Sequence, residues 1–190
     1  MKKRIFTALE ISEATRQKAA DYINYLRQKY PQTRGGWDKP EKMHLTMKFL
    51  GEVDEDRLAR LTGAVERAAR EIPPFSLRIA GTGVFPSRRQ ARVLWLGVRD
   101  EMGVLQKLNE KLESECGARG LAGEKRSFKA HLTIARLKER AVGLVEAHLS
   151  ENFEAAEFEV SEIVVFSSEL RQTGSVYTVI SKHQLTGMTG

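Results

Sequence analysis

The chain has 190 residues, of which 41% are hydrophobic and 29% charged, the balance of an ordinary soluble globular protein with room for a sizeable core. Its 31 Lys and Arg residues against 25 Asp and Glu leave a net charge of +6, which favours an anionic partner, nucleic acid first among the candidates. A single cysteine, Cys116, excludes an intrachain disulfide and fits a reducing compartment, and no apolar run approaches the length of a membrane span.

In chain order, residues 4–11 alternate as a first strand; Glu10 and Glu13 interrupt the apolar run too early for an export signal, so the expected location is the cytoplasm. Ser12 and Glu13 open a helical pattern carrying Ala20, Ile23, Leu26 and Tyr30, closed by Pro31. Gly35-Gly36 marks a turn, and Trp37 and Pro40 lead into Met43-His44-Leu45-Thr46-Met47-Lys48-Phe49-Leu50-Gly51, a strand ended by the glycine. Asp54 is the expected N-cap of a helix to about residue 70 with Leu58, Leu61, Val65 and Ala69 on its buried stripe, and Pro73-Pro74 stops it. Residues 75–80 and 93–98 read as two strands of a hairpin joined by the Gly- and Pro-marked stretch 81–90. A helix is predicted at about 101–116, then a basic loop from Arg119 to Lys129, a strand beginning at His131 and a helix near 142–150. Residues 158–166 and 176–184 read as the last two strands, and 187–190 as a frayed tail. Hairpin-like pairs interrupt the alternation of strands and helices, which predicts an α+β fold with mainly antiparallel sheets rather than a doubly wound parallel sheet.

The strand at His44 has an echo. Ala130-His131-Leu132-Thr133-Ile134-Ala135-Arg136 repeats its order of His, apolar residue, Thr, apolar residue, with the two histidines 87 positions apart. Residues two apart on a strand share a face. Parity therefore puts His44 with Thr46 and His131 with Thr133 on exposed faces, and Leu45, Met47 and Phe49 on the buried one. Two such strands predict a site with two-fold pseudo-symmetry.

A pair of imidazoles in one cleft suits acid–base catalysis near neutral pH, since one ring can accept a proton while the other donates one. Threonine hydroxyls beside them suit the non-bridging oxygens of a phosphodiester, where charge must be held during phosphoryl transfer. By the same parity Lys48 continues the outward face and adds positive charge. A metal site would need three or four ligands, whereas threonine occupies the outward position beside each histidine and Cys116 has no partner cysteine; no metal or cofactor is expected. His148 and His183 read as packing or surface residues. Basic residues cluster around the second motif, with Arg126, Lys129, Arg136 and Lys138 among them, and Arg88, Arg89 and Arg92 form a second group suited to an RNA backbone. Phe128 and Trp37, each near one motif, are candidate stacking surfaces for a base.

These features resemble the 2H phosphoesterase superfamily, and within it the RNA 2′,3′-cyclic phosphodiesterases, also called 2′-5′ RNA ligases. The likeness covers Arg4-Ile-Phe-Thr-Ala-Leu, the block from Trp37 to Gly51, Gly83-Val-Phe-Pro-Ser with Val93-Leu-Trp-Leu-Gly-Val, and Phe128 to Arg136. Two departures are Ala130 where the group usually has proline and Lys129 where arginine is common. The resemblance implies a single bilobal domain over residues 1–190, in which two antiparallel sheets with outer helices are related by a pseudo-two-fold axis and the active site lies in the cleft between them. It implies metal-independent hydrolysis of a terminal 2′,3′-cyclic phosphate to a 2′-phosphate, with reversible 2′-5′ ligation as a second activity and tRNA fragments among the RNA ends acted on. In the family pattern His44 is the proton donor, His131 the proton acceptor, and Thr46 and Thr133 bind phosphate; Arg136 matches an arginine common after the second motif. Lys48, Arg126, Phe128, Lys129 and Arg136 are the candidate RNA contacts, and the protein is expected to act as a monomer. Two other readings of the same residues stay open: a 2H esterase for a small cyclic nucleotide or an ADP-ribose cyclic phosphate, and a non-catalytic RNA-binding module.

Overall fold

A computed structural model describes residues 3–121, 123, 127–171 and 174–188. In chain order the elements are β1 (Lys3–Glu10), α1 (Glu13–Lys29), β2 (Gly35–Trp37), β3 (His44–Val53), α2 (Glu55–Glu71), β4 (Phe75–Phe85), β5 (Val93–Arg99), α3 (Val104–Ala118), β6 (His131–Leu137), α4 (Val142–Ser150), β7 (Glu154–Val160), β8 (Glu162–Arg171) and β9 (Gly174–Gln184). They form a four-stranded sheet ordered β3-β1-β8-β9 and a five-stranded sheet ordered β2-β6-β5-β4-β7, with antiparallel neighbours throughout. The first is called sheet A, the second sheet B. Helices α2 and α3 pack together on sheet A, while α1 and α4 pack on sheet B. The α+β architecture is the one expected.

Local chemistry accounts for the helices. Ser12 Oγ accepts from the Thr15 amide, and Asp54 Oδ1 accepts from the Arg57 amide at 2.8 Å, so α1 and α2 each begin on a side-chain cap. Helix α3 starts later than the apolar pattern predicts because the Asp100 carboxylate accepts from the amides of Val104, Leu105 and Gln106; Met102 lies outside the helix and is exposed. Among the described residues no helix is long and apolar enough to cross a bilayer.

The repeat extends beyond the two motifs. The 87-residue offset between the histidines also separates the starts of α2 and α4 and those of β4 and β8. The order strand, helix, motif strand, helix, strand recurs as β1-α1-β3-α2-β4 and β5-α3-β6-α4-β8, with β2, β7 and β9 added to it, and the final strand of each set joins the sheet of the other half: β4 pairs with β5, and β8 with β1. This exchange ties the lobes together, and one buried cluster runs through residues of both, among them Ile5, Leu45, Leu61, Leu94, Leu112 and Ile134.

Three expectations are corrected. The apolar stretch 158–166 is not one strand: it breaks at Ser161, with β7 in sheet B and β8 in sheet A. No glycine or proline marks the break, so local sequence could not show it. Gly51 does not end its strand; at φ +72° it lets β3 continue past an irregularity to Val53. The tail is anchored as far as Gly187, whose amide donates to Ile72 O at 3.0 Å while Thr186 donates to Ala69 O, and a Cβ there would lie 2.6 Å from the Glu71 backbone. Residues 189 and 190 fall outside the described residues.

Candidate active site

A cleft of about 410 Å³ brings the two motifs together, with His44 and Thr46 on one wall and His131 and Thr133 on the other. Both histidines are held alike. Nδ1 of His44 lies 2.7 Å from Lys42 O, and Nδ1 of His131 lies 2.7 Å from Lys129 O. A carbonyl only accepts, so in each ring Nδ1 carries the hydrogen and Nε2 is left to exchange a proton. Arg16 on α1 braces the first loop, its guanidinium donating to the carbonyls of Pro40 and Met43 immediately before His44.

Each ring rests on aromatic side chains. Phe6 stacks on His44 at 4.9 Å between centroids, and Tyr177 meets it edge-on at 5.3 Å; Phe6, Ala8, Val164 and Phe166 form a small apolar cluster of their own at this point. His131 is met edge-on by Phe85 at 5.0 Å, with Trp95 at 6.2 Å. Trp95 can lie there because Gly83, its cross-strand neighbour, has no side chain; a Cβ would be 2.1 Å from the indole. Burial against these rings disfavours the imidazolium, lowering His44 to about 4 and holding His131 below the ordinary histidine value, against the opposing pull of the backbone hydrogen bonds.

Strand parity fails beyond the threonines, at the same place in both motifs. Pairing of β1 with β3 skips Met47, and pairing of β5 with β6 skips Ile134. Each skip is a β-bulge that puts two consecutive residues on the buried side, Met47 with Lys48 and Ile134 with Ala135. The next cleft-facing residue therefore stands five places after each histidine rather than four, and these residues are Phe49 and Arg136. Both bulged carbonyls find donors: Met47 O accepts from the buried Asn109 side chain at 3.2 Å, and Ile134 O from the Asp38 amide at 2.9 Å.

The bulge corrects the expectation for Lys48. The residue is 5% exposed, and its Nζ lies 2.7 Å from both carboxylate oxygens of Glu113 on α3, away from the cleft. Phe49, expected in the core, is the exposed aromatic of the cleft. Phe128 is partly buried against the main core and does not line the cleft, and Trp37 packs there likewise, on the rim of a separate groove. Lys129 is exposed, with its ammonium 4.5 Å from the Trp95 ring centroid, so it covers the aromatic wall behind His131. Arg136 lines the cleft through the bulge, and Arg126 falls outside the described residues.

Arg4, Asp38, Lys42 and Tyr177 also line the cleft, and the sequence reading missed their part in it. Burial pushes the Asp38 carboxyl up, while Arg136 and Lys42 pull it the other way. Of these, Arg4 carried a signal, as the first residue of a block that resembles the family. His148 is completely buried: Nε2 donates to Gly83 O and Trp95 O, and Nδ1 accepts from Tyr22 Oη at 2.9 Å. Cys116 is buried too, its thiol pushed up to about 11 by desolvation, as suits a packing residue. Among the described residues no three His, Cys, Asp or Glu side chains gather as a metal-binding group.

Fold and cleft together define a two-lobed α+β protein whose halves each present a His-x-Thr strand. The LigT-like phosphoesterase family matches the chain twice in succession, over residues 9–95 and 96–177, one match to each half of the repeat. This chain belongs to that family. It is 34% identical over 188 residues to the RNA 2′,3′-cyclic phosphodiesterase of Thermotoga maritima, covering 97% of this chain and 96% of that one. Its fold is similar to that of TT0787 from Thermus thermophilus, with a TM-score of 0.81, 29% identity and coverage of 98% and 100%. The apo form of E. coli LigT is similar at a TM-score of 0.75, 25% identity and coverage of 97% and 98%.

Proposed function

We propose that this phosphoesterase is an RNA 2′,3′-cyclic phosphodiesterase that opens a terminal 2′,3′-cyclic phosphate to a 2′-phosphate and a free 3′-hydroxyl, with its two histidines as base and acid. The observation that carries the reading is the matched pair of Nδ1–carbonyl hydrogen bonds, which leaves an equivalent Nε2 on each of two rings in one cleft. The name of the Thermotoga maritima relative supports the substrate class.

In this mechanism His131 Nε2 takes a proton from water as the oxygen attacks phosphorus. The bond from phosphorus to O3′ breaks, and His44 Nε2–H protonates the departing oxygen. Thr46 and Thr133 donate to the non-bridging oxygens, and Arg136, Lys42 and Arg4 offset their charge. The free cleft favours neutral imidazoles, which suits the base; a bound phosphate anion raises the proton affinity of His44, which suits the acid. With the 5′-hydroxyl of a second RNA end in place of water, the same steps give a 2′-5′ linkage, and in the reverse direction the two histidines exchange roles. Water at about 55 M favours hydrolysis unless the ends are held together. RNA ends such as those of cleaved tRNA are within this substrate class.

The test is product analysis. An oligoribonucleotide ending in a 2′,3′-cyclic phosphate, incubated with the protein and EDTA, should yield the 2′-phosphate alone. No turnover, or a 3′-phosphate product, refutes the proposal. His44→Ala and His131→Ala should each cost about 10²-fold or more in kcat with the fold intact.

A further inference from the structure

The cleft that holds the two motifs is cationic, with one exception. Among the described residues, Arg4, Lys42 and Arg136 bring positive charge to its walls, and Asp38 is the one carboxylate that lines it. Backbone geometry fixes Asp38 there. It follows Trp37, the last residue of β2, and its amide donates to Ile134 O at 2.9 Å, beside the bulge of the second motif strand. Gly35 and Trp37 line the separate groove behind β2, so alternation turns Asp38 the other way, into the cleft. Its half-buried carboxylate makes no hydrogen bond or ion pair among the described residues. Its charge still reaches across to sheet A: burial and, after it, the Asp38 carboxylate push the Tyr177 phenol up. An unpartnered carboxylate in such a place costs desolvation and repels phosphate, so packing alone gives no reason for it.

We infer that Asp38 sets the charge selectivity of the cleft, favouring the singly charged cyclic diester over the doubly charged phosphomonoester that the reaction leaves. The inference rests on the reaction proposed above. There one proton of the attacking water passes to His131 and the other stays on phosphorus, so the product forms as a monoanion. It becomes a dianion when that P–OH ionises, with a pKa of about 6. A cleft holding only Arg4, Lys42 and Arg136 would bind this dianion more tightly than the substrate, and turnover would wait on release. A fixed negative charge on the cleft wall opposes two charges on the product and one on the substrate. Asp38 thus weakens substrate binding a little and product binding twice as much on a logarithmic scale. The cations hold phosphate, and Asp38 decides which charge state stays.

The test uses two ligands that share a nucleoside and differ in charge, 2′-AMP and the methyl ester of its phosphate. Their binding is measured by calorimetry at about pH 8, where the monoester is a dianion. Asp38→Asn should tighten 2′-AMP about threefold more than the methyl ester, the effect of one extra charge about 7 Å away through water. Asp38→Glu, which keeps the charge, should hold the ratio of the two affinities at its native value. In turnover of 2′,3′-cyclic AMP, Asp38→Asn should lower Ki for 2′-AMP relative to KM by a similar factor. Equal changes for both ligands in Asp38→Asn, no change in either, or tightening confined to the methyl ester would overturn the inference. So would a ratio that shifts as far in Asp38→Glu as in Asp38→Asn. If the native protein leaves 2′,3′-cyclic AMP intact, the proposed reaction fails instead, and the two unreactive ligands still judge Asp38.

Discussion

The side-chain amide of Asn109, on α3, donates to the carbonyl of Met47, the bulged residue of the first motif strand, at 3.2 Å. One turn further along the same helix, Glu113 takes the ammonium of Lys48 at 2.7 Å. A helix from the second half of the chain thus clamps the irregularity that shapes the motif strand of the first. The second motif reaches the same end differently, with the Asp38 amide satisfying Ile134 O.

If this clamp holds the bulge, Asn109→Ala leaves a buried carbonyl without its donor and should cost about 1–3 kcal/mol of stability. Urea denaturation measures it. Because the bulge sets which side chains of the first motif strand face the cleft, the variant should also lower kcat/KM for 2′,3′-cyclic AMP. A stability loss with kcat/KM unchanged would show Asn109 acting on the fold alone.

Lys48 and Arg136 were both candidate RNA contacts by sequence, and the structure separates them. Arg136→Met should weaken binding to single-stranded RNA and reduce the slope of log K against log salt by about 0.7, the share of one phosphate contact. Lys48→Met should leave that slope unchanged, since its ammonium faces Glu113. Titrations at several salt concentrations distinguish the two.

The rate should depend on pH through both imidazoles. His131 must be neutral to act as base and His44, at about 4 in the free cleft, must be protonated to act as acid, so kcat/KM rises as pH climbs through the lower of the two values and falls as it climbs through the higher. With His131 also below the ordinary value of about 6.5, the optimum of kcat/KM is acidic. Bound phosphate raises both values, so the optimum of kcat lies at higher pH. A kcat/KM flat across the histidine range would contradict the two-imidazole mechanism.

Stability should fall on acidification for the same reason. His44, His131, His148 and His183 all sit lower in the folded chain than in the unfolded one. Below about 6.5 the unfolded chain takes up protons first, so stability present above that pH is lost as pH falls toward 4. His148 contributes through burial, having both nitrogens engaged within the protein. His148→Phe should therefore be less stable at neutral pH, where it orphans Tyr22 Oη, and should show a shallower loss in acid. Thermal melts across this range test it.

The chain by itself determined the chemistry on offer. Two His-x-Thr strands, a basic balance and the alternation of apolar residues were legible because strand parity is local, and parity holds from His44 to Thr46 and from His131 to Thr133. It also showed most helices, since caps such as Asp54 and apolar stripes such as Leu61-Val65-Ala69 act over a few residues. Beyond each threonine, the tertiary structure decided which side chains face the cleft. The bulges depend on donors from elsewhere, Asn109 being 62 positions from Met47 and Asp38 lying on the far side of α2 and α3 from Ile134. Parity alone therefore placed Lys48 in the cleft and Phe49 in the core, the reverse of their positions. The division of 154–171 between two sheets was hidden for the same reason: Ser161 carries no turn signal, and only the exchange of β4 and β8 between the halves requires the chain to cross there.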